Sequence, residues 1–552
     1  MESHIAGGLV GRRVPGRNFG PNFVLETRYV YFHSGGVVVS SHGSGAPELY
    51  SGQLLPSPIL NKLLLGLTLG LLLFGLACGS SGSSIPITGT FSNASLNGQY
   101  AYRLAGFDTI DGEFSEAGVF TADGAGHVTA GTDDFNTAVG FSSTPITGNY
   151  SIGHDGNGSI TLNIGGGQIN LTITMLSTSK FYLAEADAFV NFSANGVGEG
   201  AKQTASAFTS PPTGTFVFRV HQTFPPPAVS EGTVGTITST NAAVTGSFDV
   251  VRSNTFSSLT FTGGNFSVPD STGRGTLTYT DSQAIPTNFR YYVIDANTLW
   301  FMETDANTLG VGTAERQASG TLTLSGNYAF GSSGDTNANI GGVRTVGGFT
   351  AGGGTISAGA YDSVRDGSST VNQPFTGTYT ATAKGRVDVT LVQTGGTGAM
   401  IPLVFWMVSP SRAYLLFTDV SKVEEGTVDL QQVNTFANSD LKGQYALVMD
   451  GSIPGFLLTR VGTFIPDGNG NLNLNEEANS INTSGTPLGS ISDVVLPGTY
   501  SVAGSGRATS TITGSSSNVD LVMYMVSSNQ AYILQSDPGV EVSGQLTLQS
   551  SP

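Results

Sequence analysis

A chain of 552 residues with a single cysteine, Cys78, cannot be held together by internal disulfides. It also lacks the thiolates for a structural zinc site. Histidine is almost as scarce: six in all, of which only His127, His154 and His221 follow Cys78. No two of those three fall at equivalent places in the repeats described below, so neither a His-centred triad nor a His-rich metal site is marked. Charged residues are 11% of the chain, and 22 basic residues face 39 acidic ones, for a net charge of −17. Residues 1–77 hold five of the basic and three of the acidic residues, so the chain from Cys78 onward carries −19. That balance disfavours nucleic acid and anionic lipid headgroups as partners. No segment sustains a helical period.

The one cysteine has a distinctive setting. Leu63 to Ala77 is fifteen uncharged, mostly apolar residues, preceded by Lys62 and followed by Cys78 and a Gly/Ser tail. The run suits the apolar region of a secretory signal and is short for a membrane-spanning helix. The order positive, apolar, small, Cys, Gly/Ser resembles a bacterial lipoprotein signal with its lipobox, here FGLAC. The resemblance implies cleavage before Cys78, acylation of that residue, and attachment to the membrane by several acyl chains. Gly79 in place of Asp implies the outer membrane or cell surface of a Gram-negative envelope. Signals begin near the first residue, so residues 1–57 read as a mis-assigned or disordered extension, with the true start between Leu54 and Leu60, and 58–77 as the signal.

After a Gly/Ser linker, 78–93, the sequence repeats. LNGQYAY recurs as PTGTFVF, LSGNYAF and LKGQYAL, with aromatic residues Tyr100, Phe216, Tyr328 and Tyr445. A second Gly-x-aromatic triplet ends at Tyr150, Phe266, Tyr379 and Tyr500. An aromatic stands five residues before an Asp at Tyr182/Asp187, Trp300/Asp305, Tyr414/Asp419 and Tyr532/Asp537. A Gly five residues before a Gln closes each copy at Gln203, Gln317, Gln431 and Gln549. Four landmarks in one order, four times, define tandem units at 94–208, 209–320, 321–436 and 437–552. Within a unit the period is two, and DGAG and DGNG mark tight turns.

The expectation is all-β: four small antiparallel barrels of about eight strands each in up-and-down order, which removes exposed edges. An immunoglobulin-like sandwich is the alternative. A membrane-spanning barrel is disfavoured, because the strands are short and rich in Thr and Ser. The Gly-x-aromatic opening resembles the lipocalin and avidin (calycin) superfamily, and the whole pattern resembles multi-repeat surface lipoproteins of environmental bacteria.

Chemistry is thin. Asp134, Asp249, Asp362 and Glu477 align across the copies, as do Asp187, Asp305, Asp419 and Asp537. A two-carboxylate hydrolase needs a facing pair in a cleft; Asp accepting backbone N–H groups at strand ends is the simpler reading. The Asp-Gly loops do not keep EF-hand spacing, so no metal and no cofactor is expected. Six aromatics, Tyr182, Trp300, Tyr414, Tyr532, Trp406 and Tyr524, could line a cup for a small apolar ligand or stack on a glycan; filling the barrel core is the simpler reading. The function expected is a non-catalytic, lipid-anchored surface protein whose domains act as spacer, adhesive or glycan-contacting array. Small-molecule-binding barrels come second, a secreted hydrolase last.

Overall fold

The structure, a computed structural model, describes residues 28–33, 36–41 and 90–550, apart from 186–187, 190–191, 225–228, 337–340, 383, 396–397, 454, 483–486 and 515–517. The signal, Cys78, the candidate start and Asp187 lie outside the described residues. In the extension, where the sequence has no strong period, Arg28–His33 and Gly36–Ser41 pair as an antiparallel hairpin.

The alternating segments downstream form four closed eight-stranded antiparallel barrels. They run from Asn97–Asp108 to Phe192–Lys202, from Gly214–Phe224 to Leu309–Arg316, from Gly326–Thr336 to Lys422–Leu430, and from Tyr445–Ile453 to Glu541–Leu548. Strands follow one another as a meander, and the last pairs with the first: Tyr100 with Lys202, Phe216 with Arg316, Tyr328 with Leu430, Tyr445 with Leu548. Closure leaves no free edge, which a sandwich would have kept. The first barrel adds a two-residue strand, Ala188–Phe189.

Side chains fill the interiors. Tyr100 stacks on Phe120 in the first barrel, and Tyr328 on Phe349 in the third, at centroid distances of 5.7 and 5.3 Å. Apolar packing inside is the reverse of the watery lumen of a membrane channel. Phe91, Phe208, Leu322 and Phe436, each from the segment ahead of its barrel, pack against the four cores. The Gly-x-aromatic landmarks explain themselves here. Gly98, Gly214, Gly326 and Gly443 all have φ between +101° and +120°, a region that side-chain-bearing residues rarely enter. The phenol that follows then latches a distant turn: Tyr100 donates to the Thr178 carbonyl at 2.6 Å, Tyr328 to Pro410 at 2.9 Å, Tyr445 to Ser528 at 2.5 Å. In the second triplet Tyr150, Tyr379 and Tyr500 donate to Leu96, Leu324 and Leu441 at 2.7–2.8 Å. The second barrel has Phe216 and Phe266 at these places and forgoes both latches.

The barrels are not beads on a string. The Nε2 of each closing glutamine donates to a carbonyl of the next barrel: Gln203 to Val293 at 2.8 Å, Gln317 to Met407 at 2.9 Å, Gln431 to Met525 at 2.8 Å. The fourth, Gln549, donates to Met175 of the first barrel at 2.6 Å. The next main-chain N–H repeats the pattern, Thr204 to Ile294, Ala318 to Val408, Gln432 to Val526 and Ser550 to Leu176, at 2.7–2.9 Å. One head-to-tail contact used four times, with the last returning to the first barrel, closes a ring.

Candidate functional site

The three seams between consecutive barrels share one polar clamp. Asp134 on the outer wall of the first barrel accepts from the Arg274 Nε and Nη2 of the second, and from the Tyr292 hydroxyl at 2.5 Å. Asp249 accepts from Arg386 Nε at 2.7 Å and from Trp406 Nε1 at 2.7 Å. Asp362 accepts from Arg507 Nε and Nη2 at 2.8 and 2.7 Å, and from Tyr524 at 2.8 Å. All three carboxylates are at most 1% exposed. In each clamp one bidentate guanidinium, completed at Asp249 by Arg386 Nη2 at 3.2 Å, and one aromatic donor satisfy a charge that burial alone would make costly. Beside each clamp lies an apolar patch: Ala101, Val119, Tyr292 and Trp300 in the first seam, Val217, Val234, Trp406 and Tyr414 in the second, Ala329, Val346, Tyr524 and Tyr532 in the third.

These placements differ from both simple readings of the sequence. The aligned carboxylates tie barrels together, although Asp362 also accepts from the Asn372 N–H at 2.9 Å. Trp406 and Tyr524, with Tyr182, Trp300, Tyr414 and Tyr532, point out of their barrels into the seams rather than into the cores. Tyr182 shares a hydrogen with Thr547 at 2.8 Å, Tyr414 donates to Glu315 at 2.5 Å, and Tyr532 donates to Asp429 at 2.6 Å. Arg103 lies over the Trp300 ring at 5.1 Å and Arg219 over Tyr414 at 5.7 Å. Of the other aligned acids, Asp305 accepts from the Asn288 N–H at 2.8 Å and Asp419, at a turn, from the Ser421 N–H at 3.0 Å. The sequence reading missed Arg274, Arg386 and Arg507. Each directly follows a turn glycine, and their separations of 112 and 121 residues match the landmark spacing.

The seam between the fourth and first barrels is built differently. Asn157 stands where the others have Arg, and Thr174 where they have Tyr or Trp. Thr174 donates to Asn157 Oδ1 at 2.8 Å, and Glu477 accepts from Thr172 at 2.8 Å. Asn195 donates to the Asn479 carbonyl at 2.8 Å, while Asn479 donates to Glu185 and Ala194 carbonyls at 2.8 and 2.9 Å. The seam is held by amide and hydroxyl donors, which reach carbonyls and the Glu477 and Asp155 carboxylates in place of a guanidinium, with Leu176, Tyr182, Ala446 and Val461 as its apolar patch.

Where the four barrels meet, a cavity of 350 Å³ is lined by the first and last strands of all four. Equivalent first-strand positions present Arg103, Arg219, Gly331 and Val448 to it, and two residues on, Ala105, His221, Ser333 and Asp450. Arg103 Nη2 donates to Glu199 at 2.6 Å. Arg219 Nη1 lies 3.5 Å from Glu425 Oε1, and His221 Nε2 lies 3.5 Å from Asp335. Burial works to raise the Glu199 carboxyl, but the charges of Arg103, Lys180 and Arg219 bring it below the ordinary value. Burial works to lower His221, but the bond to Asp335 and the charge of Glu425 hold it above the usual imidazole range. Tyr182 and Tyr532 reach this cavity; the other four predicted aromatics do not line it.

His127 is exposed and bonds its own turn partner Asp123 at 2.8 Å, and Asp123 and Asp467 accept the backbone N–H groups of their hairpins at 2.7–3.0 Å. Among the described residues no group of three His, Cys, Asp or Glu side chains is placed to hold a metal, and no helix is long and apolar enough to cross a membrane.

No family model matches the sequence. No curated protein matches it either. Among solved structures, a transferrin binding protein B from Haemophilus parasuis aligns at 12% identity over 67% of this chain and 82% of that one, with a TM-score of 0.17. The isotype 1 transferrin binding protein B of serogroup B Neisseria meningitidis aligns at 8% identity over 67% and 84%, also with a TM-score of 0.17. Scores of this size carry no argument about what this chain binds.

Proposed function

We propose that this chain is a non-catalytic, lipid-anchored protein of the cell envelope, and that its four barrels work as one rigid binding body rather than an extensible spacer. One observation supports the non-catalytic reading above others. The aligned carboxylates Asp134, Asp249 and Asp362, the best candidates for hydrolytic chemistry, are each held by an arginine and an aromatic donor of the next barrel. A carboxylate held in this way is neither a nucleophile facing a cleft nor half of a facing acid pair. The anchor rests on the FGLAC signature and Cys78. The rigid body rests on the fourfold glutamine contact and on aromatic faces occupied in the seams. A repeated array would gain by avidity only if each unit displayed a free face.

The test is expression of the full chain in a Gram-negative host with radiolabelled palmitate, beside Cys78→Ser. The expected result is label on the parent, none on the variant, a mature N-terminus at residue 78, and partition of the parent alone into membranes. A soluble, unlabelled, full-length parent would overturn the anchored reading.

A further inference from the structure

We infer that the cavity at the meeting point of the four barrels is a binding site for a neutral saccharide of one or two rings. This deepens the binding-body reading and rests on it. The cavity belongs to no single barrel; the first and last strands of all four build most of it, with Tyr182, Val346 and Tyr532 from neighbouring strands. Its 350 Å³ equals the liquid volume of about a dozen waters and falls at the small end of ligand pockets. Solvent reaches it, since the Asp450 side chain is 45% exposed and that of His221 34%.

Glu425 is the group that points to a ligand. Its side chain is 5% exposed, and its Oε2 is buried and accepts no hydrogen bond from the protein. A buried carboxylate oxygen without a donor is costly, and because Glu425 lines the cavity a turn of its carboxylate would bring that oxygen to a ligand hydroxyl. The charge on the walls selects the class. Glu199, Glu425 and Asp450 would repel an anion, while Arg103, Arg219 and a protonated His221 would repel a cation. A neutral polyol uses both sets, since each of its hydroxyls donates to a carboxylate and accepts from a guanidinium. Ser333, Thr427 and Gln545 add short polar groups. The same lining includes the apolar side chains of Val197, Val311, Val346 and Val448, and Tyr182 and Tyr532. A lining that offers both polar groups and apolar surface suits the hydroxyls and the C–H faces of a pyranose.

The experiment is saturation-transfer difference NMR on the mature chain with glucose, galactose, N-acetylglucosamine, maltose and trehalose, and with putrescine and citrate as charged probes. Two variants accompany it: Ser333→Phe, which fills the cavity from a position outside the seam clamps, and Glu425→Gln. The expected result is saturable transfer to at least one neutral sugar, a Kd raised at least tenfold in Glu425→Gln, and loss of transfer in Ser333→Phe at an unchanged unfolding midpoint. A shifted midpoint for Ser333→Phe passes the decision to Glu425→Gln, where an unchanged Kd overturns the inference. So does transfer to putrescine or citrate alone, transfer to none of the sugars, or sugar binding that survives a folded Ser333→Phe. Palmitate labelling of the same preparations separates the two readings: a labelled parent that binds no sugar loses this site and keeps its anchor.

Discussion

Three of the four seams in this ring join barrels that are neighbours in sequence, and the fourth joins barrels separated by the whole repeat array. The first three carry Asp–Arg–aromatic clamps. The fourth carries Asn157 and Thr174 in place of the arginine and the aromatic, and relies on amides. The difference follows from the order in which constraints accumulate. A clamp with a buried carboxylate fixes one angle, because a bidentate guanidinium tolerates little rotation. Once three seams have fixed three angles, the first and fourth barrels already face each other. The last contact then forms between preorganised surfaces and has little ordering entropy left to offset. It can close on hydrogen bonds from amides and hydroxyls, without a guanidinium–carboxylate pair, and it is where the ring opens most easily.

Removing a clamp carboxylate should produce the largest change. Asp249→Ala leaves the buried Trp406 N–H and the Ser258 hydroxyl without their acceptor and strips Arg386, which keeps Asp388, of its buried partner, a loss of about 2–4 kcal/mol. The measurement is urea unfolding, and Glu477→Ala at the closing seam should cost about 1–2 kcal/mol, the scale of one hydrogen bond and its buried hydroxyl. Equal losses at both seams would erase the distinction drawn here.

Adjacent residues sharpen it further. Asp134 points outward into a clamp, while its neighbour Asp133 accepts from the core residue Tyr102 at 2.7 Å. Burial, followed by opposing bonds from Tyr102 and Glu116 and by the charge of Asp134, pushes the Asp133 carboxyl up to about 7. A carboxyl raised on folding keeps its proton longer folded than unfolded, so its contribution is present at low pH and is lost as pH rises from about 4 towards 7. The midpoint of parent unfolding should fall across that window more steeply than that of Asp133→Asn. Parallel slopes would show that Asp133 is ionised in the folded chain.

Much of this was legible before the structure. Alternation and turn chemistry gave barrels, because a period of two with Asp-Gly reversals leaves a meander few other ways to hide its edges. The landmark residues were visible, but their partners were not. Gln549 reads as a strand-end side chain until its acceptor, the Met175 carbonyl, arrives from 374 residues away. All six aromatics, Tyr182, Trp300, Tyr414, Tyr532, Trp406 and Tyr524, read most simply as core because burial is what sequence reports, and a residue buried between barrels has the same pattern as one buried inside. The cavity was illegible, since Arg103, His221, Glu425 and Asp450 each belong to a different barrel and share no local pattern. The clamp arginines were within reach, because a Gly-Arg step recurs in three copies and becomes Gly156-Asn157 in the first.

Gln549 tests the closing seam by subtraction. Its amide donates to Met175 and, at 3.2 Å, to Asp155. Gln549→Ala should cost about 1–1.5 kcal/mol and speed hydrogen exchange on both sides of that seam. Gln317→Ala, at a seam that keeps its clamp and its short linker, should leave local exchange nearly unchanged.

The smallest effect is expected from addition. Asn157→Arg with Thr174→Tyr would give the fourth seam the same clamp pattern, with Glu477 as its carboxylate. A buried ion pair returns little net stability, because desolvation offsets attraction. The unfolding midpoint should therefore move by the equivalent of about 1 kcal/mol or less. Exchange at the seam should nevertheless slow, because opening it now requires separating a desolvated pair. If exchange there does not slow, the amide seam is already as tightly shut as the other three. The ring would then have no preferred place to open, and the contrast between clamp and amide would be one of chemistry without mechanical consequence.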